Sequence, residues 1–207
     1  MDVPAFVKAH LPPAPARVLE VGCGDGRLAR ALDALGYRVT AIDPAAPEGA
    51  IFQRVSLEDF ADPARFDAAV ANRALHHIAD LEGALSKLRG LLAPGGRLIV
   101  IEHAWERFAG PTASWYLERR RARDPDAPKS LEACLAEWNA DHAGLHDSAA
   151  MRREIDRRFS ERLFRWTPYL HGELGEAFEQ EERTLIEAGA IQATGFVYVG
   201  EREYGPS

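Results

Sequence analysis

Apolar residues recur along this chain in two alternating periods. After Arg17, the stretch RVLEV at residues 17–21 is apolar on both faces except for one acid, and it predicts a short buried strand. DGRLARALDALG, at residues 25–36, then sets Leu28, Leu32 and Leu35 on one helical face, with Gly36 as the stop. Strands are predicted again at residues 37–43, 50–56, 66–72 and 97–102, with a helix over 80–92 and an Ala-Pro-Gly-Gly turn at 93–96. Strands that are nearly all apolar and alternate with helices make a parallel sheet covered on both faces. Right-handed crossovers turn that pattern into an open doubly wound α/β domain, which binds ligands beyond the carboxyl ends of its strands. Those ends carry Glu20 to Gly26, Asp43, Ser56 to Glu58, Asn72, Glu102 and His103.

The alternation stops after residue 103. Helices are expected at about 112–122, 130–142 and 147–159, punctuated by Gly110-Pro111, Asp124-Pro125 and Gly144. A block of that size is too long for a connector, so it reads as a helical cap over the ligand end of the sheet. A sixth strand at 162–168, a helix at 173–187 and a long last strand at 191–203 complete the pattern. The expected fold is α/β: one Rossmann-like domain over residues 1–207, with a mostly parallel seven-stranded sheet and helices on both faces. Residues 1–103 are its core, 104–161 the cap insertion, and 162–207 the last strands and helix.

Composition narrows the class without changing this picture. With 46% hydrophobic and 28% charged residues the chain is a globular one, and no apolar run reaches membrane-spanning length. The start, MDVPAFVKAHLPP, lacks a signal-peptide core, so the expected location is cytoplasmic and no membrane partner is expected. Two cysteines, Cys23 and Cys134, are too few for a disulfide framework or a structural zinc site. A net charge of −7 argues against nucleic acid as partner. The arginine-rich stretches at 118–123 and 151–162 read as solvated helix faces, because acids interleave with them.

The chemistry concentrates in VLEVGCGDGRL, residues 18–28. A strand, a glycine turn and a helix start suggest backbone N–H groups aimed at a ligand. Arg27 stands where a dinucleotide fingerprint requires its last glycine, and the in-strand Glu20 would repel a pyrophosphate. An acid there suits an ammonium group, and Asp43 at the end of the second strand suits a ribose diol.

At these residues the chain resembles the class I S-adenosylmethionine-dependent methyltransferases. VLEVGCGDG matches their first motif, and AID ending at Asp43 their acidic ribose position. VSLEDF, at 55–60, falls at their adenine position. FDAAVANRALHHIADLEGALSKLRGLLAPGGRLIVIE, at 66–102, follows their fourth strand, helix and fifth strand. The resemblance implies that Glu20 and the turn Gly22, Cys23, Gly24 hold the methionine end of S-adenosylmethionine, the product being S-adenosylhomocysteine. It implies that Asp43 accepts the ribose hydroxyls, with Pro44 near the adenine. Ser56, Leu57 and Glu58 would frame that base. Many relatives have Asp where this chain has Ser56, so the contact to the adenine amine would pass to Glu58. The same three residues equally suit a cap for the next segment. Asn72 would meet the amino-acid end, and His77 would lie near the sulfonium.

A sulfonium methyl is already activated, so the acceptor needs alignment, and a base only when it is a hydroxyl or a protonated group. His77, His103, His142 and Tyr169 are the candidates for that task. Asp141, His142, His146 and Asp147 are ligand types, but Gly144 breaks their helical spacing and no metal is expected. Asn72-Arg73-Ala74-Leu75 does not match the Pro-Pro-Tyr turn of DNA amino-methylating families, so the expected acceptor is a small organic molecule. The expected assembly is a monomer or homodimer. Two alternatives stand beside methyl transfer: a catalytically silent protein that holds the cofactor or its product, and a nicotinamide-dependent oxidoreductase.

Overall fold

The computed structural model describes residues 1–203; the end of the expected closing segment, 204–207, lies outside the described residues. Seven strands form one sheet in the order β3-β2-β1-β4-β5-β7-β6. They are β1 (Arg17–Val21), β2 (Arg38–Ile42), β3 (Phe52–Gln53), β4 (Phe66–Asn72), β5 (Leu92–His103), β6 (Ser160–Thr167) and β7 (Gly195–Glu201). β1 runs parallel to both β2 and β4, pairing Glu20 with Ala41 on one side and Val70 on the other. β4 pairs parallel with β5, and β2 with β3. The order reverses at β1, so the glycine turn and the end of β4 stand at the switch point of the sheet.

Helices α1 (Val3–His10), α2 (Arg27–Ala34), α3 (Leu81–Leu91), α4 (Gly110–Arg121), α5 (Leu131–Asp141), α6 (Ser148–Asp156), α7 (His171–Leu174) and α8 (Glu179–Glu187) complete the chain. α1 is an addition to the expected elements, although its start was written locally. Asp2 accepts the N–H of Ala5 at 3.1 Å, and Pro4 fills the first turn, where no N–H is needed. The expected third strand shrinks to Phe52–Gln53. The expected turn at 93–96 is absorbed into β5, where the register against β4 slips between Phe66 and Ala68 and Gly95 takes φ 77°. The helix expected over 173–187 is broken: Gly175 takes φ 112°, α7 ends before it, and α8 begins only at Glu179.

The chain divides into two compact units: Met1–Glu102 with Ala149–Phe164 and Val197–Ser207, and His103–Ser148 with Arg165–Phe196. The first has its core among Val18, Val70, Ile99 and Val197 of four strands, with Leu28 and Leu32 of α2 and Val7 of α1 against them. Each such side chain, fully buried, contributes roughly 1.5–3 kcal/mol. The second has an aromatic core of Phe108, Trp115, Tyr116 and Trp138, joined by Leu170, Leu174 and Ile191. Phe108 stacks on Trp138 at 4.0 Å.

The arginine stretches are not uniformly solvated faces as expected: several of their arginines are partly buried in ion pairs with acids. Arg119 reaches Glu181 at 2.6 Å and Arg120 reaches Glu137 at 2.7 Å. Arg158 holds Glu154 at 2.8 Å and the Ser86 hydroxyl at 2.8 Å. No helix among the described residues is long and apolar enough to cross a membrane.

Candidate active site

The chain leaves β1 through Gly22, Gly24 and Gly26, all at positive φ. At Gly22 the reason is contact: a Cβ there would lie 2.5 Å from the Cβ of Ala74. At Gly24 it is openness, since a Cβ would meet nothing within 4 Å and would enter free space beside the turn. The backbone N–H groups of this turn do not face that space, contrary to expectation. Gly22 and Cys23 donate to the carbonyl of Ile42 at 2.9 and 3.2 Å, Gly24 donates to Asp43, and Gly26 donates to Cys23. The N–H groups of Gly22, Cys23, Gly24 and Gly26 are thus spent inside the protein and are not offered to a phosphate.

Glu20 stands in β1, two residues before Gly22. It is 2% exposed, and its Oε2 has no hydrogen-bond partner. Burial pushes its carboxyl up to about 8; the charge of Asp25 adds to this, and a hydrogen bond from the backbone of Ala29, in the first turn of α2, partly offsets it. A buried acid with one oxygen unsatisfied is a socket for an ammonium or hydroxyl donor. Cys23 lies beside it, and burial, with the charges of Glu20 and Asp43, pushes the thiol up to about 11, so it is no nucleophile at neutral pH.

Asp43 follows β2 and accepts Gly24 N–H on Oδ2 at 3.1 Å and Ala45 N–H on Oδ1 at 2.7 Å. Each oxygen keeps a lone pair for a further donor. Pro44 is exposed beside it. Leu57 is buried and Glu58 exposed, with the Glu58 carbonyl accepting from Lys87. Ser56 takes the cap role left open by the sequence, its Oγ accepting Asp59 N–H at 3.1 Å and bonding the Asp59 carboxylate at 2.9 Å.

Asn72 closes β4, and the next residue, Arg73, holds φ 53° with its N–H on the Ile101 carbonyl at 2.8 Å. A non-glycine residue in that region is strained and stays there only when its surroundings compel it. Glu102 supplies the compulsion. Its Oε1 accepts Ala74 N–H at 2.8 Å and Leu75 N–H at 2.7 Å, and its Oε2 lies 2.6 Å from Nδ1 of His76. His77 follows, its ring 4.0 Å from that of His76. Burial and the neighbouring His76, only partly offset by Glu102, hold its imidazole below the usual range, so His77 is neutral at neutral pH. Ala74 and Glu102 are the members of this site that sequence reasoning left without a role. Glu102 carried the same signal as Glu20, an acid at the end of an otherwise apolar strand.

The remaining candidates belong to the second unit, where they gather. The His103 ring lies 5.2 Å from both His142 and Tyr169. His142 stacks on Trp138 at 4.2 Å, with Nδ1 2.7 Å from the Trp138 carbonyl. It borders a cavity of about 250 Å³ that Tyr116, Cys134, Trp138, Asp141 and Glu173 also line. Tyr116 donates to Glu173 at 2.8 Å. Burial pushes the Glu173 carboxyl up, an effect moderated by the Tyr116 hydrogen bond and the nearby Arg120 charge.

Residues 3–168 match the family described as a methyltransferase domain. An uncharacterised methyltransferase of Mycobacterium tuberculosis is 40% identical over 112 residues, 47% of this chain; the chain spans 55% of that relative's length. A ubiquinone biosynthesis O-methyltransferase of Xylella fastidiosa is 34% identical over 172 residues, covering 72% of this chain and 69% of that protein. Among solved structures, an S-adenosylmethionine-dependent methyltransferase from Mesorhizobium loti superposes with a TM-score of 0.62 at 16% identity, over 96% of each chain, and so shares the fold. The chain belongs to the methyltransferase-domain family, within the class I S-adenosylmethionine-dependent methyltransferases. The residues fit that family's methyl donor on two counts: an unsatisfied buried carboxylate oxygen for an ammonium group, and a glycine turn open where a side chain would intrude.

Proposed function

We propose that this protein transfers the methyl group of S-adenosylmethionine to a small organic acceptor. The observation that carries the reading is the buried Glu20, with one unpartnered oxygen, at the base of the open turn that Asp43 braces. When bound, the donor supplies a methyl group already activated on a sulfonium, so the protein's work is binding, orientation and exclusion of water. Glu20 and the turn Gly22, Cys23, Gly24 take the ammonium end, and Asp43 offers its two remaining lone pairs to the ribose hydroxyls. Pro44, Ser56, Leu57 and Glu58 border the base, with Ser56 acting through the turn it caps. Asn72 and His77 stand at the end of β4 towards the reacting end.

Two groups have the chemistry to take a proton from an acceptor. His77 is kept neutral by its surroundings, and His103, His142 and Tyr169 form a cluster of their own. The relative from Xylella fastidiosa is named an O-methyltransferase, and a hydroxyl acceptor is the class that needs such a base. Hydroxyl-bearing acceptors therefore come first in a screen. A net charge of −7 supports a small molecule over nucleic acid, and the reading places the enzyme in the cytoplasm.

Calorimetric titration of S-adenosylmethionine and S-adenosylhomocysteine into the wild type and Asp43→Ala tests the donor half. Micromolar binding that the variant loses supports it, and absence of binding to the wild type overturns it. Transfer of a labelled methyl group to a panel of hydroxyl, amine and thiol acceptors tests the other half. Silence across the panel in a protein that binds the donor leaves the non-catalytic binder as the better reading.

A further inference from the structure

Glu102 is an acid at the end of an otherwise apolar strand and is 1% exposed. A carboxyl group so deeply buried needs its oxygens satisfied, and the hydrogen bonds to Ala74, Leu75 and His76 fall in one short segment. Oε1 takes the N–H groups of Ala74 and Leu75, and Oε2 takes the Nδ1 edge of His76. The segment begins with the left-handed Arg73 and continues into a single 3₁₀ turn from Leu75 to His77. A turn that short has no cooperative helix of its own to hold it, so its shape depends on the carboxylate.

What the segment holds in place is the donor turn. The Cβ of Ala74 occupies the space that a Cβ on Gly22 would need, leaving 2.5 Å between them. The path from Glu102 to the glycine turn is therefore one hydrogen bond to Ala74 N–H and one van der Waals contact from Ala74 to Gly22. The same clamp presents His77, whose ring leans on that of His76 at 4.0 Å.

We infer that Glu102 is a positioning residue of the donor site: its carboxylate locks residues 73–77 so that Ala74 closes against Gly22 and His77 is held at the end of β4. The inference rests on the proposed function only in taking the glycine turn as the donor's place. Glu102 touches neither donor nor acceptor in this scheme and acts through Ala74 and His76. Accepting from Nδ1 of His76 as a third donor, the carboxylate requires a proton on that nitrogen.

Two substitutions separate positioning from mere stability. In Glu102→Gln the amide oxygen still accepts both backbone N–H groups, while the amide nitrogen donates to His76 and forces the opposite tautomer. In Glu102→Ala the clamp is gone. Leu85→Ala, a core cavity in α3, serves as a control that lowers stability by a change outside residues 73–77. Three readouts apply to the full chain: the S-adenosylhomocysteine Kd by calorimetry, hydrogen exchange at the Ala74 and Leu75 amides, and the nitrogen shifts of His76. Glu102→Ala is expected to weaken binding by about tenfold or more and to open both amides, whereas Glu102→Gln stays within about threefold of wild type with the His76 tautomer reversed. Leu85→Ala is expected to lower Tm and leave the Kd in place.

The inference is overturned if Glu102→Ala binds like the wild type, if its loss of affinity is matched by Leu85→Ala at equal Tm, or if the two amides stay protected. A wild type that binds no S-adenosylhomocysteine overturns the donor reading instead. The exchange and nitrogen-shift readouts then still decide whether Glu102 holds the loop.

Discussion

The carboxylate of Asp43, just after β2, accepts the N–H of Gly24 at 3.1 Å and so ties the second strand to the turn that leaves the first. Its other oxygen accepts Ala45 N–H at 2.7 Å, which fixes its own loop. Asp43 is thus a brace before any ligand arrives, and a ribose would add to bonds already formed. Asp43→Ala should cost about 1–2 kcal/mol in stability and abolish measurable donor binding. Asp43→Asn keeps one acceptor oxygen and should fall between the two. Denaturant melts and calorimetry on the same samples check both. An Asp43→Ala protein that binds the donor as the wild type does would remove Asp43 from the site.

Glu20 makes ligand-free stability depend on pH. Its folded carboxyl stands at about 8 against an ordinary value of 4.5, so the folded state holds the proton more tightly than the unfolded one. The stabilisation is complete below the ordinary value and is lost as pH rises to about 8, by at most about 5 kcal/mol. Glu20→Gln should flatten this loss and be the more stable protein at pH 8, while binding the donor poorly. An ammonium group at Glu20 should expel the proton, so binding near neutral pH should release close to one proton, read by calorimetry in buffers of different ionisation enthalpy. Equal pH profiles for the wild type and Glu20→Gln would contradict the assignment.

Gly22 and Gly24 differ in what a methyl group would meet. Gly22→Ala combines a positive φ with a clash against Ala74 and should destabilise by about 2–4 kcal/mol. Gly24→Ala has open space, so only the backbone penalty of about 1–2 kcal/mol remains. The donor should feel the reverse: Gly24→Ala puts its methyl into the cradle and should weaken binding more than its stability loss explains. Thermal unfolding with and without S-adenosylhomocysteine separates the two effects.

Glu182 of α8 is fully buried, and its carboxylate reaches the start of α7, accepting N–H groups from Tyr169, Leu170 and His171, as well as Nδ1 of His171 at 2.9 Å. Burial pushes its carboxyl up, but the His171 and backbone hydrogen bonds outweigh burial and hold it below the ordinary value. Its stabilisation is therefore present above the ordinary carboxylate range and fades as pH falls through its folded value. Glu182→Ala should lose about 3–5 kcal/mol at pH 7 and less at pH 3. Denaturant midpoints at both values check this, and a loss that stays constant with pH would refute it.

Much of the site was legible because its signals are local. An acid inside RVLEV, glycines at alternate positions, and Asp43 directly before Pro44 are short-range patterns that strand period and turn chemistry translate without knowing the fold. α1 could have been read in the same way from Asp2 and Pro4, and Gly175 from the composition around it, since capping and positive φ are also local.

The sequence by itself determined the strand-helix alternation, the placing of polar residues at strand ends, and the family motif, because periodicity and glycine placement act over a few residues. Only the tertiary structure decided where the hydrogen bonds of those residues go. That the N–H groups of Gly22 and Cys23 are consumed by Ile42 depends on which strand lies next to β1. That Glu102 clamps Ala74, 28 residues away, and that Gly22 is glycine because of Ala74, depends on β4 and β5 being neighbours in register. A buried polar group must find a partner wherever the topology brings one, and topology is a property of the whole chain rather than of any window along it.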